Sequence, residues 1–338
     1  WYSRWFRFIA WAVGFAFIMG VGFLILPGLL EQACLPTIIN IPNGYPKFFQ
    51  VFLPNLFTFG SIALCTYLAL RYIIKPAYRY LGATQVTLSD LIVSTQNSTK
   101  TVHATNCAPV FLGVLGFCIN HISRWRWRYY IQPALIYTAS FASAILLYSA
   151  LLTGSAGTLF IVTNPIAYLQ LIGAVLMITP FQSFVEELSC RGYLLKTTEC
   201  FYHCFTPDPL PQTTQDRPII KITLILITNM VIFSLLHISF VLNVGFLRVL
   251  LAQGMFGLLA TYVTFRTQGI EASSGMHYAH NLICFIILEP FLYPLLDADP
   301  LALFFIIALT TTFALILTEL FVIQRKPTAL TQQATLPP

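Results

Sequence analysis

The chain has 338 residues, 57% of them hydrophobic and only 9% charged, with a net charge of +6 and a mean hydropathy of +0.76. So little polar surface cannot cover a water-soluble globule of this size, which excludes a soluble enzyme. The modest basic excess has a sufficient explanation in membrane topology and anionic lipid, and no nucleic-acid-binding signature accompanies it.

Apolar runs of about 20 residues, enough to cross roughly 30 Å of hydrocarbon, recur along the chain. They define expected spans at 8–30, 48–70, 130–153, 160–195, 219–243, 246–266, 272–291 and 302–323. All are expected to be helical, because lone strands leave backbone groups unsatisfied in lipid and no alternating ten-residue pattern points to a barrel. The expected fold class is therefore all-α, a polytopic membrane bundle of about eight transmembrane helices. The first run is too long for a signal-peptide core and is expected to stay as a helix.

The region 1–129 reads as an N-terminal membrane region with two spans, 130–324 as a catalytic helical core, and 325–338 as a flexible cytoplasmic tail. Within the first region, 84–106 is a polar loop rich in Ser, Thr and Asn. Residues 107–121 are apolar but short of a span, and read as re-entrant or interfacial. Trp125, Trp127, Tyr129 and Tyr130 suit a membrane interface.

Basic residues collect on one side if the eight spans alternate. Arg4, Arg7, Arg71, Lys75, Arg79, Arg124, Arg126, Arg128, Lys196, Arg217, Lys221, Arg266, Arg325 and Lys326 share that side, and only Lys47 and Arg248 face the other. The bias predicts a multi-pass integral membrane protein with both termini cytoplasmic. Most of the eight cysteines, including Cys65, Cys118, Cys190 and Cys284, sit in apolar segments as small buried hydrophobes. Cys200, His203 and Cys204 form a tighter group that reads as an ordinary interfacial loop, with metal binding or lipidation as alternatives.

Three motifs place polar chemistry inside apolar spans: Glu186-Glu187-Leu188-Ser189-Cys190-Arg191, Phe233-Ser234-Leu235-Leu236-His237 and His277-Tyr278-Ala279-His280-Asn281. A charged side chain at the bilayer centre costs roughly 2.5–3.5 kcal/mol on insertion scales, so such a cluster needs mutual pairing or a chemical task. Adjacent helical residues point about 100° apart, so Glu186 and Glu187 serve different ends. Glu187 has Arg191 one turn on, in the favourable acid-first order, and reads as its structural partner. Glu186, sharing a side with Gln182, Ser183 and Cys190, is the candidate general base. Pro180 is expected to kink this helix.

Phe233 and His237 stand at i and i+4, so the ring can hold the imidazole's rotamer. His277 and Asn281 share the same spacing, with His280 as a second choice to His277. Axial rise puts His237 about 24 Å from Lys221, Glu186 about 15 Å from Lys196 and His277 about 9 Å from Glu271, a loose agreement in depth.

Glu-Glu-x-x-x-Arg, Phe-x-x-x-His and His-x-x-x-Asn, in this order on successive membrane helices, resemble the motifs of the CAAX protease and bacteriocin-processing (CPBP, or ABI) family of intramembrane endopeptidases. The resemblance covers about 160–291, and the long polar connection 200–218 is a departure from it. It implies a hydrolase in which Glu186 and His237 activate water while His277 and Asn281 support the oxyanion, with Glu187, Arg191 and Phe233 in support. It also implies a membrane-bound peptide or prenylated protein as substrate, either a CAAX tail or a bacterial peptide.

Zinc held by Glu186, His237 and His277 is the alternative to metal-independent water activation. The metal-independent reading is favoured, because a ligated Glu186 is less available as base and no His-Glu-x-x-His is present. A serine nucleophile elbow and a pair of intramembrane aspartates are both lacking. The rival class is a polytopic transporter or non-catalytic scaffold with a polar cavity, although no inverted repeat accompanies it.

Overall fold

The computed structural model describes residues 2–29, 47–80, 125–148, 165–205, 219–237, 246–267, 269–286 and 300–323. Among them the chain is almost wholly helical, without strands, in eight helical segments. These are α1 (2–29), α2 (47–80), α3 (Trp127–Tyr148), α4 (165–205), α5 (Ile219–Leu236), α6 (Phe246–Thr267), α7 (271–286) and α8 (300–323). Each expected span falls on one of them. The loop at 84–106, the segment 107–121 and the tail from 326 lie outside the described residues.

Five of the helices contain stretches long and apolar enough by themselves to cross a membrane: Ser3–Leu29, Phe52–Ala77, Trp127–Tyr148, Pro165–Tyr202 and Phe305–Ile323. The outward surface is apolar, with Leu24 70%, Leu135 64% and Ile166 71% exposed, whereas Glu187 and Arg191 are 0% and 2% exposed. Polar inside and apolar outside is the distribution that lipid selects. The protein is an all-α, polytopic membrane helix bundle.

Local sequence explains how these helices persist. Pro165 and Pro300 occupy first helical positions, where a missing N–H costs nothing. Pro54, Pro133 and Pro180 lie inside helices that continue through them. Hydroxyls cover nearby carbonyls, as Ser183 does for those of Thr179 and Pro180 at 2.8 and 3.2 Å. Immediately after Glu187, α4 widens into a π-helical stretch over Leu188–Leu194.

Two apolar cores flank α4. One joins Trp11 and Ile18 of α1 and Phe59 and Ile62 of α2 to Val185, Leu188 and Tyr193. The other gathers Tyr137 and Phe141 of α3, Phe233 of α5, Phe256 of α6, Met276 of α7 and Ile306 of α8 around Cys190. The three motifs meet at the boundary between α4 and this second core. Cys65 and Cys190 are buried as expected, while Cys284 is partly exposed.

Helix α7 is fixed from several sides. At its start Arg126 donates to both oxygens of Glu271, at 2.9 and 2.7 Å, and to the Thr267 carbonyl at 3.0 Å. Burial alone would lower the Arg126 guanidinium, yet Glu271 more than offsets it and holds it above its usual value. A turn further, a Cβ at Gly275 would strike the backbone carbonyl of Tyr130, so only glycine lets α3 and α7 approach this closely. Helix α8 is tied to α6 by Arg266 and Glu319 at 2.9 Å, with Tyr262 donating to the same carboxylate.

Candidate active site

His277 stands between the two glutamates. Its Nδ1 lies 2.7 Å from Glu187 Oε1 and its Nε2 3.1 Å from Glu186 Oε2. Glu187 Oε1 also accepts from Arg191 Nη1 at 2.7 Å, and Arg191 Nη2 donates to the Gly257 carbonyl at 3.2 Å. The acid-first i, i+4 pairing of Glu187 with Arg191 is therefore formed, deep inside the bundle. Aromatic faces close the guanidinium off: its carbon lies 4.1 Å from the Phe233 ring centroid and 5.9 Å from that of Phe256.

Glu186 differs from its neighbour. Its side chain is 15% exposed where that of Glu187 is 0%, so it is the carboxylate an incoming molecule can reach. Gln182 Nε2 donates to its Oε1 at 3.1 Å. His237 caps the end of α5, its Nδ1 2.8 Å from the Phe233 carbonyl. A carbonyl only accepts, so Nδ1 carries the proton and a neutral ring has its lone pair on Nε2. The Phe233 ring packs on the imidazole at 4.5 Å between centroids, as the i, i+4 spacing anticipates. Glu186 and His237 lie within electrostatic reach of each other.

The agreement in depth, loose when counted from basic residues, has a structural cause. Lys196 does not end its helix: it pairs with Glu199, and α4 runs on to Phe205. Helix α5 descends antiparallel to this extension, with Tyr202 meeting Thr228 at 3.0 Å and Arg191 meeting Phe233. That descent delivers His237 to the level of Glu186.

Asn281 lies one turn past His277, 8% exposed, and its Nδ2 has no hydrogen-bond partner among the described residues. His280 belongs to a separate set. Its Nδ1 is 2.8 Å from the Tyr137 hydroxyl, its Nε2 3.5 Å from Cys284 Sγ, and its ring stacks on Phe256 at 4.5 Å. Phe256 also touches His277 at 5.0 Å, so one ring contacts both imidazoles.

Several partners were not legible from the sequence: the Gly257 carbonyl, Phe256, Tyr137 and the Arg126–Glu271 pair. A buried aromatic such as Phe256 is indistinguishable by pattern from core packing. Arg126 carried a topological reading that hid its partner 145 residues away.

Among the described residues no group of three or more His, Cys, Asp and Glu side chains is arranged to hold a metal ion. The reason at this site is specific. Both nitrogens of His277 face carboxylates, and Glu186 is shared between His277 and Gln182. As arranged, these side chains are engaged with one another.

Fold and site together define a polytopic membrane protein with a carboxylate, imidazole and guanidinium cluster enclosed by apolar helices. Residues 168–283, which contain all three motifs, match the family described as Type II CAAX prenyl endopeptidase Rce1-like. The chain is also 30% identical over 162 residues to "Uncharacterized protein YyaK" of Bacillus subtilis (strain 168), covering 45% of this chain and 48% of that protein. The chain thus matches about half the length of this relative. No solved structure matches.

Proposed function

We propose that the protein is an intramembrane endopeptidase cleaving a peptide bond near the end of a membrane-associated polypeptide, with the C-terminal tail of a prenylated CAAX-type protein as substrate. The carrying observation is the contact chain from Arg191 through Glu187 and His277 to Glu186. Neutralising Arg191 requires only Glu187. A second, more accessible carboxylate is held at the end of this chain by His277, and a cluster of ionisable groups enclosed in an apolar bundle marks a functional site.

In this reading Glu186 takes a proton from the attacking water, whose oxygen adds to the scissile carbonyl carbon. His237 shares that water through Nε2, its ring held by the Phe233 carbonyl and face. The carbonyl electron pair moves onto oxygen, and Asn281 Nδ2, a donor with no partner among the described residues, donates a hydrogen bond to that oxyanion. His277 joins Asn281 by trading Glu186 for the oxyanion once Glu186 is protonated. Collapse then breaks the C–N bond, and the proton on Glu186 passes to the departing amine. Glu187 and Arg191 stay fixed and hold His277 in register.

The reading is metal-independent, and membrane lipid is the surrounding partner. It places both termini and the substrate opening on the cytoplasmic side. Ring contacts of Trp5 with Phe205 at 5.4 Å and of Phe8 with Phe201 at 5.1 Å set the Arg4–Arg7 end of α1 beside the end of α4. Phe6 of α1 shares a groove with Tyr72 and Pro76, bringing the Arg71 and Lys75 end of α2 to the same side. Basic ends grouped in this way support a cytoplasmic face.

The test uses purified protein in detergent or vesicles with a farnesylated peptide ending in a CAAX sequence. Glu186→Gln and His237→Ala are each expected to abolish cleavage while the protein stays folded. Cleavage at the wild-type rate by Glu186→Gln would remove the reading.

A further inference from the structure

We infer that Gln182 is a further catalytic residue, whose side-chain oxygen binds the hydrolytic water opposite Glu186; the inference rests on the peptidase reading and deepens it. Gln182 precedes Glu186 by one helical turn, so both side chains project from the same face of α4. Its Nε2 donates to Glu186 Oε1 at 3.1 Å. A carboxylate accepts only, so this contact fixes which end of the amide faces it. The other end, Oε1, is then an acceptor in a side chain 8% exposed, with no hydrogen-bond partner among the described residues.

An unsatisfied buried acceptor costs about 1–3 kcal/mol, and a protein interior seldom leaves one without cause. The geometry supplies the cause. Nε2 and Oε1 share one carbon, which puts Oε1 about 4–5 Å from the Glu186 oxygen that Nε2 contacts. That is the separation of two acceptors bridged by the two hydrogens of one water, each at about 2.8 Å. One hydrogen of the attacking water then points at Glu186 and is transferred, while the other is held by Gln182 and stays on the oxygen. The lone pair of that oxygen is thereby turned toward the carbonyl carbon. No proton passes to Gln182, and its bond to Glu186 is unchanged through the step. Inside an apolar bundle, where water is scarce, a dedicated acceptor also retains the water before substrate arrives.

The experiment is steady-state cleavage of the farnesylated peptide by Gln182→Leu and Gln182→Glu, with Glu186→Gln as control and thermal unfolding in detergent for each. Gln182→Leu keeps the bulk and loses both polar ends. It is expected to lower kcat by tenfold to a hundredfold with KM within twofold and an unchanged melting temperature. In its acid form Gln182→Glu keeps a donor toward Glu186 and an acceptor toward water. Its kcat is expected to fall as pH rises through the titration of the new carboxyl, in a limb the wild type lacks, which a packing role would not produce. Should Gln182→Leu not fold, the profile of Gln182→Glu decides alone. A kcat within threefold of wild type for Gln182→Leu, a loss confined to KM, or a Gln182→Glu profile matching the wild type would each overturn the inference while leaving the peptidase reading intact. Wild-type cleavage by the Glu186→Gln control would instead remove that reading itself.

Discussion

Arg126 and Glu271 form a two-pronged ion pair, 2.9 and 2.7 Å, between a residue just before α3 and the first residue of α7. The carboxylate sits at the N-terminal end of its helix, where the backbone dipole also favours negative charge. His277 lies six residues on, so the pair fixes the axial position of the helix that presents it to Glu186 and Glu187. Hydrogen bonds to charged groups contribute about 1.5–3 kcal/mol each, less where solvent screens them, and Arg126 keeps 30% of its side chain exposed. Arg126→Ala and Glu271→Ala are each expected to lower kcat about tenfold and the melting temperature by a few degrees. The exchange Arg126→Glu with Glu271→Arg is expected to recover part of both. Cleavage assays and unfolding curves on the three variants check this, and an exchange no better than its parent single variants refutes it.

The contact between α3 and α7 one turn further on is steric. A methyl group at Gly275 would overlap the carbonyl carbon and oxygen of Tyr130, atoms with no rotamer by which to give way. Overpacking of this kind costs about 1–3 kcal/mol. Gly275→Ala is therefore expected to destabilise the bundle and to lower cleavage by pushing His277 out of register. Gly60→Ala, where a Cβ meets nothing within 4 Å, serves as the neutral comparison. Equal unfolding curves for the two variants would contradict the packing argument.

How much of this was legible in the chain follows from the range over which each interaction acts. Helix class and span positions rest on runs of apolar residues, a local property, and the eight helices follow those runs. Glu187 with Arg191 and Phe233 with His237 are one-turn pairs and are readable from spacing alone. The bridge from His277 to both glutamates spans 90 residues and depends on helix crossing, which spacing does not encode. Depth agrees only loosely when counted from basic residues for a related reason. Lys196 pairs with Glu199 within α4, which continues to Phe205, so counting from Lys196 does not measure from a helix end. Gln182 was visible as a neighbour of Glu186, but its idle oxygen becomes apparent only when every partner is accounted for.

The Glu187–Arg191 pair predicts an asymmetry in stability. Removing one member of a buried pair strands the other charge and costs about 3–5 kcal/mol, whereas replacing both with apolar residues of similar size is often tolerated. Arg191→Met is expected to unfold readily or to express poorly, and Glu187→Met with Arg191→Met to recover much of the lost stability. Because Glu187 also holds His277 Nδ1, the double variant is expected to fold without cleaving. Melting temperature and turnover should therefore separate in this variant, and recovered cleavage would show that Glu187 is dispensable for positioning His277.

Both nitrogens of His277 lie within hydrogen-bond distance of carboxylates, so a cation binding this ring would have to displace one of those contacts. Extended dialysis against a chelator is accordingly expected to leave cleavage within twofold of the untreated protein, and elemental analysis of active protein is expected to find less than stoichiometric zinc. Loss of activity on dialysis, restored by added zinc, would require the glutamates and His277 to rearrange into a ligand set.

Asn281 separates catalysis from stability most cleanly. Its Nδ2 is buried and has no partner among the described residues, so substitution removes no hydrogen bond that these residues make. Deleting a donor that is satisfied only when an oxyanion forms removes stabilisation from the transition state alone, and losses of this kind run to about 100- to 1,000-fold in kcat. Asn281→Ala is expected to show a drop of that order, with KM little changed and a melting temperature equal to or above that of the wild type. Asn281→Asp, which replaces the donor by a carboxylate facing the same oxyanion, is expected to be at least as inactive. A structural asparagine would behave in the opposite way, losing melting temperature and rate together, so unfolding and turnover measured on the same two preparations distinguish the roles.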